Sequence, residues 1–458
     1  MARKMPNDAL RALLTEAGWS AAELARAVNA LGTGNGLRLR YDRTSVAHWL
    51  DGARPRGAAA DLVTQVLSRR IGRPLTQRDA GLDEPEQGGD PVADILQAAD
   101  PLQRLSSLCR ADSDPARRAP LTRAVLPATL PRPWEKRPPW TPPRTTHGSP
   151  ATDADVARLA DVARWSAPAT EKHGGAHARS TLAHYLSEDV SRLLAAPATP
   201  TVRHGLLSGA AQLTHLLANM TADVGYGGLA QHYYGIGLEL AHAAGDRATY
   251  AVTLRSMSVQ AHRLGDRRRA LALAEAAWDT AGPAARPATR AFLHAGRAVG
   301  YAAVGRGGPA HADLAAAEEA LDRSTEPEGP FSSYSYAALL YQRAEVLALL
   351  GDLKRALAAW ESSLHRRPAG HCKARALIHA RMAQALLAVE QRDAALVQCH
   401  LFLDNYGQLA VGSVQGALSR ILRDLSPYRT SPGVRDFWAR LRAASPPAHG
   451  TGEAPLPG

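Results

Sequence analysis

Five alanines recur along this 458-residue chain: Ala230, Ala270, Ala310, Ala356 and Ala395, spaced 40, 40, 46 and 39 residues apart. Each follows a turn by a few residues. The clearest turns read Leu264-Gly265-Asp266-Arg267-Arg268-Arg269-Ala270-Leu271 and Leu350-Gly351-Asp352-Leu353-Lys354-Arg355-Ala356-Leu357. Glycine ends one helix in the left-handed region, aspartate caps the next, and alanine lets the two helices cross closely. A unit of this length is one helical hairpin. It cannot bury its apolar face alone, so it stacks on its neighbours. Residues 151–445 are therefore expected to form a solenoid of helical hairpins rather than an irregular bundle. Composition agrees, because aromatic residues are only 5% and β-branched runs are few, which disfavours a sheet.

Trp360 falls four residues after Ala356, and Pro368 closes that unit. Turn, alanine, aromatic and proline at these offsets resemble the tetratricopeptide (TPR) pattern, although the period exceeds the usual ~34 residues. That resemblance implies a concave groove lined by the first helix of each hairpin. Candidate polar contacts there are Arg255, Gln260, Arg297, Tyr341, Gln342, Arg343 and Arg381. The arginines favour an acidic or carboxylate-bearing guest, whether peptide, protein or small signal. The competing reading has them solvated or paired with Glu239, Glu275 and Glu345.

The N-terminal residues 1–82 read as a separate four-helix domain. Leu10, Leu13, Leu14 and Ala17 share one face of a first helix over 7–17. Ser20 and Glu23 form a capping box for a second helix over about 21–30, with Trp19 and Leu24 as a hydrophobic staple. A connector of about eleven residues, including Gly32-Thr33-Gly34-Asn35-Gly36, leads to a third helix over 43–50. A fourth spans about 58–71. On the third helix Val46, Trp49 and Leu50 share one face. Arg43, Thr44, Ser45 and His48 are left outside, as suits base contacts in a major groove. Arg38, Arg40, Arg54 and Arg56 flank that helix as candidate phosphate contacts. The alternatives are a surface helix of a small bundle and solvated loop charge.

Charge is concentrated in the same region. The net charge is +11, and residues 1–82 carry 13 Lys+Arg against 7 Asp+Glu, over half the excess. Such a bias fits contact with phosphate. Residues 83–150 are expected to be a linker with one helix over about 91–109. Ten of the 41 residues from 110 to 150 are proline, which argues against helix or central strand there. Residues 446–458 are expected to be a disordered tail. Three cysteines, Cys109, Cys372 and Cys399, are too few for a disulfide framework and suit a reducing cytoplasm. No apolar stretch approaches the ~20 residues that span a bilayer.

Three segments carry a wider resemblance: Tyr41-Asp42-Arg43-Thr44-Ser45-Val46-Ala47-His48-Trp49-Leu50, His184-Tyr185-Leu186-Ser187-Glu188-Asp189-Val190, and Gly225-Tyr226-Gly227-Gly228-Leu229-Ala230-Gln231-His232-Tyr233-Tyr234. Together they resemble actinomycete regulators that join a phage-repressor-like (XRE-type) helix-turn-helix to a TPR-like tail. The resemblance implies transcriptional regulation, with roles in sporulation and antibiotic production.

Neither histidine scattering, His173, His177 and His184 or His365, His371, Cys372, Cys399 and His400, has the tight paired spacing of zinc ligands. No phosphate-binding or nucleophile motif is present. The expectation is an all-α protein without cofactor or metal, not an enzyme and without a membrane span. Two functions fit. One is a dimeric, sequence-specific DNA-binding regulator whose solenoid dimerises and takes a signal. The other is an interaction scaffold acting through a partner regulator without reading DNA.

Overall fold

The structure, a computed structural model, describes residues 6–34, 39–55, 59–71, 75, 77, 79–82, 100–122, 130–136, 140, 149–282, 285–324, 334–406, 409 and 412–444. Among these the chain is all-α, without strands. It divides into two compact units, Met1–Asp94 with Val125–Arg132, and Ile95–Ala124 with Pro133–Gly458.

The first unit contains α1 (Asp8–Ala17), α2 (Ala21–Gly34), α3 (Arg43–Leu50) and α4 (Ala59–Ile71). Asn7 caps α1 by accepting from Leu10 N at 2.9 Å. Ser20 and Glu23 make their reciprocal box, with Glu23 Oε2 accepting from Ser20 N at 2.7 Å and Ser20 Oγ from Glu23 N at 3.3 Å. Leu10, Leu13, Leu24, Val28, Val46, Trp49, Val63 and Leu67 form one buried cluster. The helix α2 runs on through Gly34, beyond its expected end near residue 30, because Leu31 still packs on that cluster. A helical glycine costs only about 1 kcal/mol, which such packing outweighs. Residues 31–34, expected in the connector to α3, are thus helical. Arg70 on α4 donates through Nε to Ala17 O at 2.9 Å, tying α4 to the C-terminus of α1.

The second unit begins with α5 (Pro101–Ser113) and α6 (Pro115–Leu121). The helix α5 covers the C-terminal part of the helix expected over about 91–109, whereas its last residues and all of α6 lie in the segment 110–150, where proline content argued against helix. Pro115 stands at the first turn of α6, where its missing N–H breaks no hydrogen bond. Buried Asp112 accepts from Arg179 Nη1 at 2.5 Å and from Tyr233 Oη at 3.0 Å, and so anchors α5 to the unit. Trp134 packs on His242 and Tyr250, with ring centroids 4.7 and 5.2 Å away. Parts of the expected linker therefore belong to this folded unit. The part of the expected helix over about 91–109 that precedes residue 100, and the tail 446–458, lie outside the described residues.

After α7 (Asp153–His173), α8 (Ala176–Tyr185) and α9 (Ser191–Ala195) come five consecutive hairpins among the described residues. They are α10 (Pro200–Asp223) with α11 (Gly227–Ala243), α12 (Arg247–Arg263) with α13 (Arg267–Ala281), α14 (Pro287–Ala303) with α15 (Gly307–Asp322), α16 (Tyr336–Leu349) with α17 (Leu353–His365), and α18 (Cys372–Ala388) with α19 (Arg392–Tyr406). Their turns are built as the sequence indicated. Gly265 and Gly351 have φ of 83° and 88°, and Asp266 and Asp352 accept from the third amide of the next helix. Ala230, Ala270, Ala310, Ala356 and Ala395 are each 1% exposed or less, at the start of each second helix. The array is a TPR-like stack. The helices α20 (Gly412–Leu425) and α21 (Pro432–Ala444) pack on α18 and α19.

The stack curls onto itself. The last hairpin's α18 packs against α7, and α20 packs against α10, so the two ends of the array meet.

Candidate functional site

The curl leaves a cavity of about 980 Å³ on the inner wall, lined mainly by the first helix of each hairpin. Its size lies at the upper end of small-ligand pockets, roughly 300–1,000 Å³. Apolar side chains such as Leu216, Met220, Val252 and Val259 form part of the wall. Cationic residues Arg255, Arg263, Arg367 and Lys373 also line it, against the single carboxylate of Asp223 among the described lining residues. Lys373 Nζ lies 3.1 Å from Asp223 Oδ2, and Asp223 also accepts from Gly175 N at 3.1 Å. The remaining positive charge is in excess.

Arg255 is the most constrained of these cations. Its guanidinium carbon sits 4.1 Å from the centroid of Phe292, which also makes an edge contact with Tyr334 at 5.5 Å. A side chain at position 296 would place Cβ 2.8 Å from Arg255 Nε, so Gly296 makes room for the arginine to lie flat. Burial, then the like charge of Arg263, pull the Arg255 pKa below the usual arginine range, with nearby tyrosines opposing. Arg255 Nε and Tyr334 Oη are both buried without a hydrogen-bond partner among the described residues. Buried polar groups of this kind are uncommon in folded proteins.

A neutral hydrogen-bonded chain that includes His215, Asn219 and Tyr234 also lines the cavity. His215 Nδ1 lies 3.1 Å from Thr253 Oγ1, and Thr253 in turn donates to Thr249 O at 2.7 Å. Asn219 Nδ2 meets His215 Nε2 at 2.8 Å, while Tyr234 donates to Asn219 Oδ1 at 2.7 Å. These partners suit the Nδ1–H tautomer, and burial pushes His215 down to about 3, with Arg255 adding to the shift.

Of the groove residues expected from sequence, Arg255, Gln260, Tyr341 and Gln342 line the cavity. Arg297, Arg343 and Arg381 do not, because each is held by a carboxylate. Arg297 makes a fork to Asp313 with two contacts of 2.7 Å. Burial raises the Asp313 pKa, but hydrogen bonds from Arg297 and His294 bring it below the ordinary value. Arg343 pairs with Glu318 at 2.6 Å and Arg381 with Glu345 at 3.1 Å. Phe292 and Tyr334 had no sequence signal, since neither falls at a repeat position.

In the first unit the elements position α3 tightly. Asn29 on α2 grips the backbone of Tyr41, donating to its O at 2.7 Å and accepting from its N at 2.9 Å. Asp42 then caps α3, accepting from Ser45 N and Ser45 Oγ, both at 2.8 Å. Those hydrogen bonds hold Asp42 below the usual carboxylate range. Arg43, Thr44 and His48 are exposed, opposite buried Val46 and Trp49. Ser45 differs from expectation: its hydroxyl is engaged in the cap rather than presented outward. Arg40 and Arg54 are exposed, while Arg38 and Arg56 lie outside the described residues.

Among the described residues, no group of three or more His, Cys, Asp or Glu is placed to hold a metal ion. No described helix is long and apolar enough to cross a membrane.

Residues 10–83 match the family described as the SP15 N-terminal domain. No curated protein matches the chain. A chain from the crystal structure of the APC/C hetero-tetramer Cut9–Hcn1 is similar at 13% identity and a TM-score of 0.35, over 90% of this chain and 68% of that one. That likeness is too low to carry the fold, which stands on the hairpin packing above.

Proposed function

We propose that this protein is a non-catalytic interaction scaffold whose hairpin array recognises an acidic segment of a partner protein at its inner wall. The observation behind this reading is the unbalanced positive lining of the curled array, where Arg255 and Arg263 meet no described carboxylate within ion-pair distance. Stacked helical hairpins commonly bind extended partners along their inner face. Site-specific photo-crosslinking in producing cells tests it. A crosslinker at Ser256, on the wall, should yield discrete protein adducts that disappear in Arg263→Glu. A crosslinker at Lys354, exposed on α17 and away from the cavity, should not. Adducts only from Lys354 would remove the inner wall from the interface.

A second reading is kept because of α3. Its exposed Arg43, Thr44 and His48 sit on a helix braced by α2, and such a helix can lie in a major groove. On this reading the protein is a DNA-binding regulator, in line with its resemblance to helix-turn-helix regulators of development, and operates as a dimer. A gel shift against genomic fragments separates the two readings. Selected sequences bound in a salt-dependent way, and weakened by Arg43→Ala by about 1–3 kcal/mol, support it. Weak and uniform binding leaves the scaffold alone.

A further inference from the structure

The geometry points to a small-molecule subsite within the inner wall, built by Arg255, Phe292 and Tyr334, that takes an organic anion with a flat unsaturated body. This rests on the inner wall being a recognition surface, but requires no partner protein. The contact of α18 with α7 curls the array around this wall, and the cavity of about 980 Å³ has room for a compact guest. Phe292 covers one face of the Arg255 guanidinium, so the remaining N–H edge is the group available to an acceptor. Arg255 Nε and Tyr334 Oη, both without a described partner, are joined through the same phenyl ring. A carboxylate placed between them would accept from a guanidinium and a phenol, both strong donors to an anion. The wall beyond offers Val252, Val259 and the ring of Tyr341, an apolar bed for a planar body. An inorganic ion would leave that bed unused, and a neutral aromatic molecule would leave both donors unsatisfied. Gly296 has a part in this arrangement, since it lets the guanidinium lie against Phe292.

The test is calorimetric titration of the full-length protein with 2-naphthoate, beside 2-naphthylmethanol, decanoate and inorganic phosphate. The expected result is saturable one-to-one binding of 2-naphthoate, with each comparator weaker by about tenfold or more. Arg255→Gln should weaken 2-naphthoate by at least about tenfold. Tyr334→Phe, which keeps the ring and removes only the hydroxyl, should weaken it by a few-fold. Arg343→Gln, outside the cavity, should leave it unchanged. Melting curves establish that each variant is folded, and Tyr334→Phe serves if Arg255→Gln is not. Equal affinity for the acid and the alcohol overturns the anion subsite, and equal affinity for decanoate overturns the flat body. Absence of saturable binding at millimolar 2-naphthoate, or wild-type affinity in both variants, overturns the proposal. Loss of 2-naphthoate binding with crosslinks from Ser256 intact would sink this subsite alone. Binding without crosslinks would sink the partner reading alone.

Discussion

Lys373 and Asp223, 150 residues apart in sequence, meet at 3.1 Å and join the fifth hairpin to the first. Their side chains are 16% and 4% exposed, so the pair is largely out of water. Asp223 lies at the end of α10 and also holds Gly175 N, which makes it a junction of three segments. This junction bridges the two ends of the curled array that surrounds the cavity. Lys373→Met should therefore leave a buried carboxylate and cost about 3 kcal/mol, toward the lower end for a broken buried pair. Thermal unfolding measures the loss, and small-angle scattering should show a larger radius of gyration. Unchanged scattering with lowered stability would mean that packing of α18 on α7 holds the curl without the ion pair.

Glu390 breaks the pattern of the turns. It is the only non-glycine residue with positive φ among the described residues, at 63°, where the other hairpins use glycine. A side chain in that region costs roughly 1–2 kcal/mol. Glu390→Gly should therefore stabilise the protein by up to about 1 kcal/mol once the extra freedom of unfolded glycine is subtracted. A denaturant midpoint that fell instead would show that the Glu390 side chain makes a compensating contact.

His215 predicts acid sensitivity. In the folded chain it titrates at about 3, against an ordinary value near 6.5. Between those values the unfolded chain takes up a proton that the native state refuses, so stability falls as pH drops below about 6.5 and levels near 3. The loss by pH 5 is of order 2 kcal/mol from this residue. His232, lowered to about 4 by burial and then Arg104, adds in the same direction. Unfolding at pH 7 and pH 5 should show a smaller difference in His215→Gln than in the parent. An identical difference would mean His215 is more open to water than its burial implies.

Trp49 holds the first unit together. It is 4% exposed, shares a cluster with Leu13, Leu24 and Val28, and meets Tyr41 edge-on at 5.0 Å. Trp49→Ala should cost about 3–5 kcal/mol, as large core truncations do. Hydrogen exchange should rise across α1 to α4 while the hairpin array stays protected. Unchanged exchange in α1 to α4 would show that the core closes over the gap.

What could be read from the sequence alone was local. The Ser20–Glu23 box, the span Arg43–Leu50 of α3, the turns at Gly265 and Gly351 and the five buried alanines each depend on residues within one or two turns of each other. The physical rules for caps, left-handed glycine and apolar periodicity act at that range. What only the tertiary structure decided involved distant partners. Of the three carboxylates expected as partners for the groove arginines, only Glu345 takes one, Arg381, while Arg297 and Arg343 go to Asp313 and Glu318, which no local pattern announces, and Arg255 stays without a carboxylate. Ser45 looked like an outward group until the cap of Asp42 claimed its hydroxyl. Proline at 115 argued against helix until Asp112 met Arg179 and Tyr233 and held α5 and α6 in place. The cavity itself follows from curvature, a sum of small rotations between hairpins. That sum is set by packing along the whole array and is carried by no single motif.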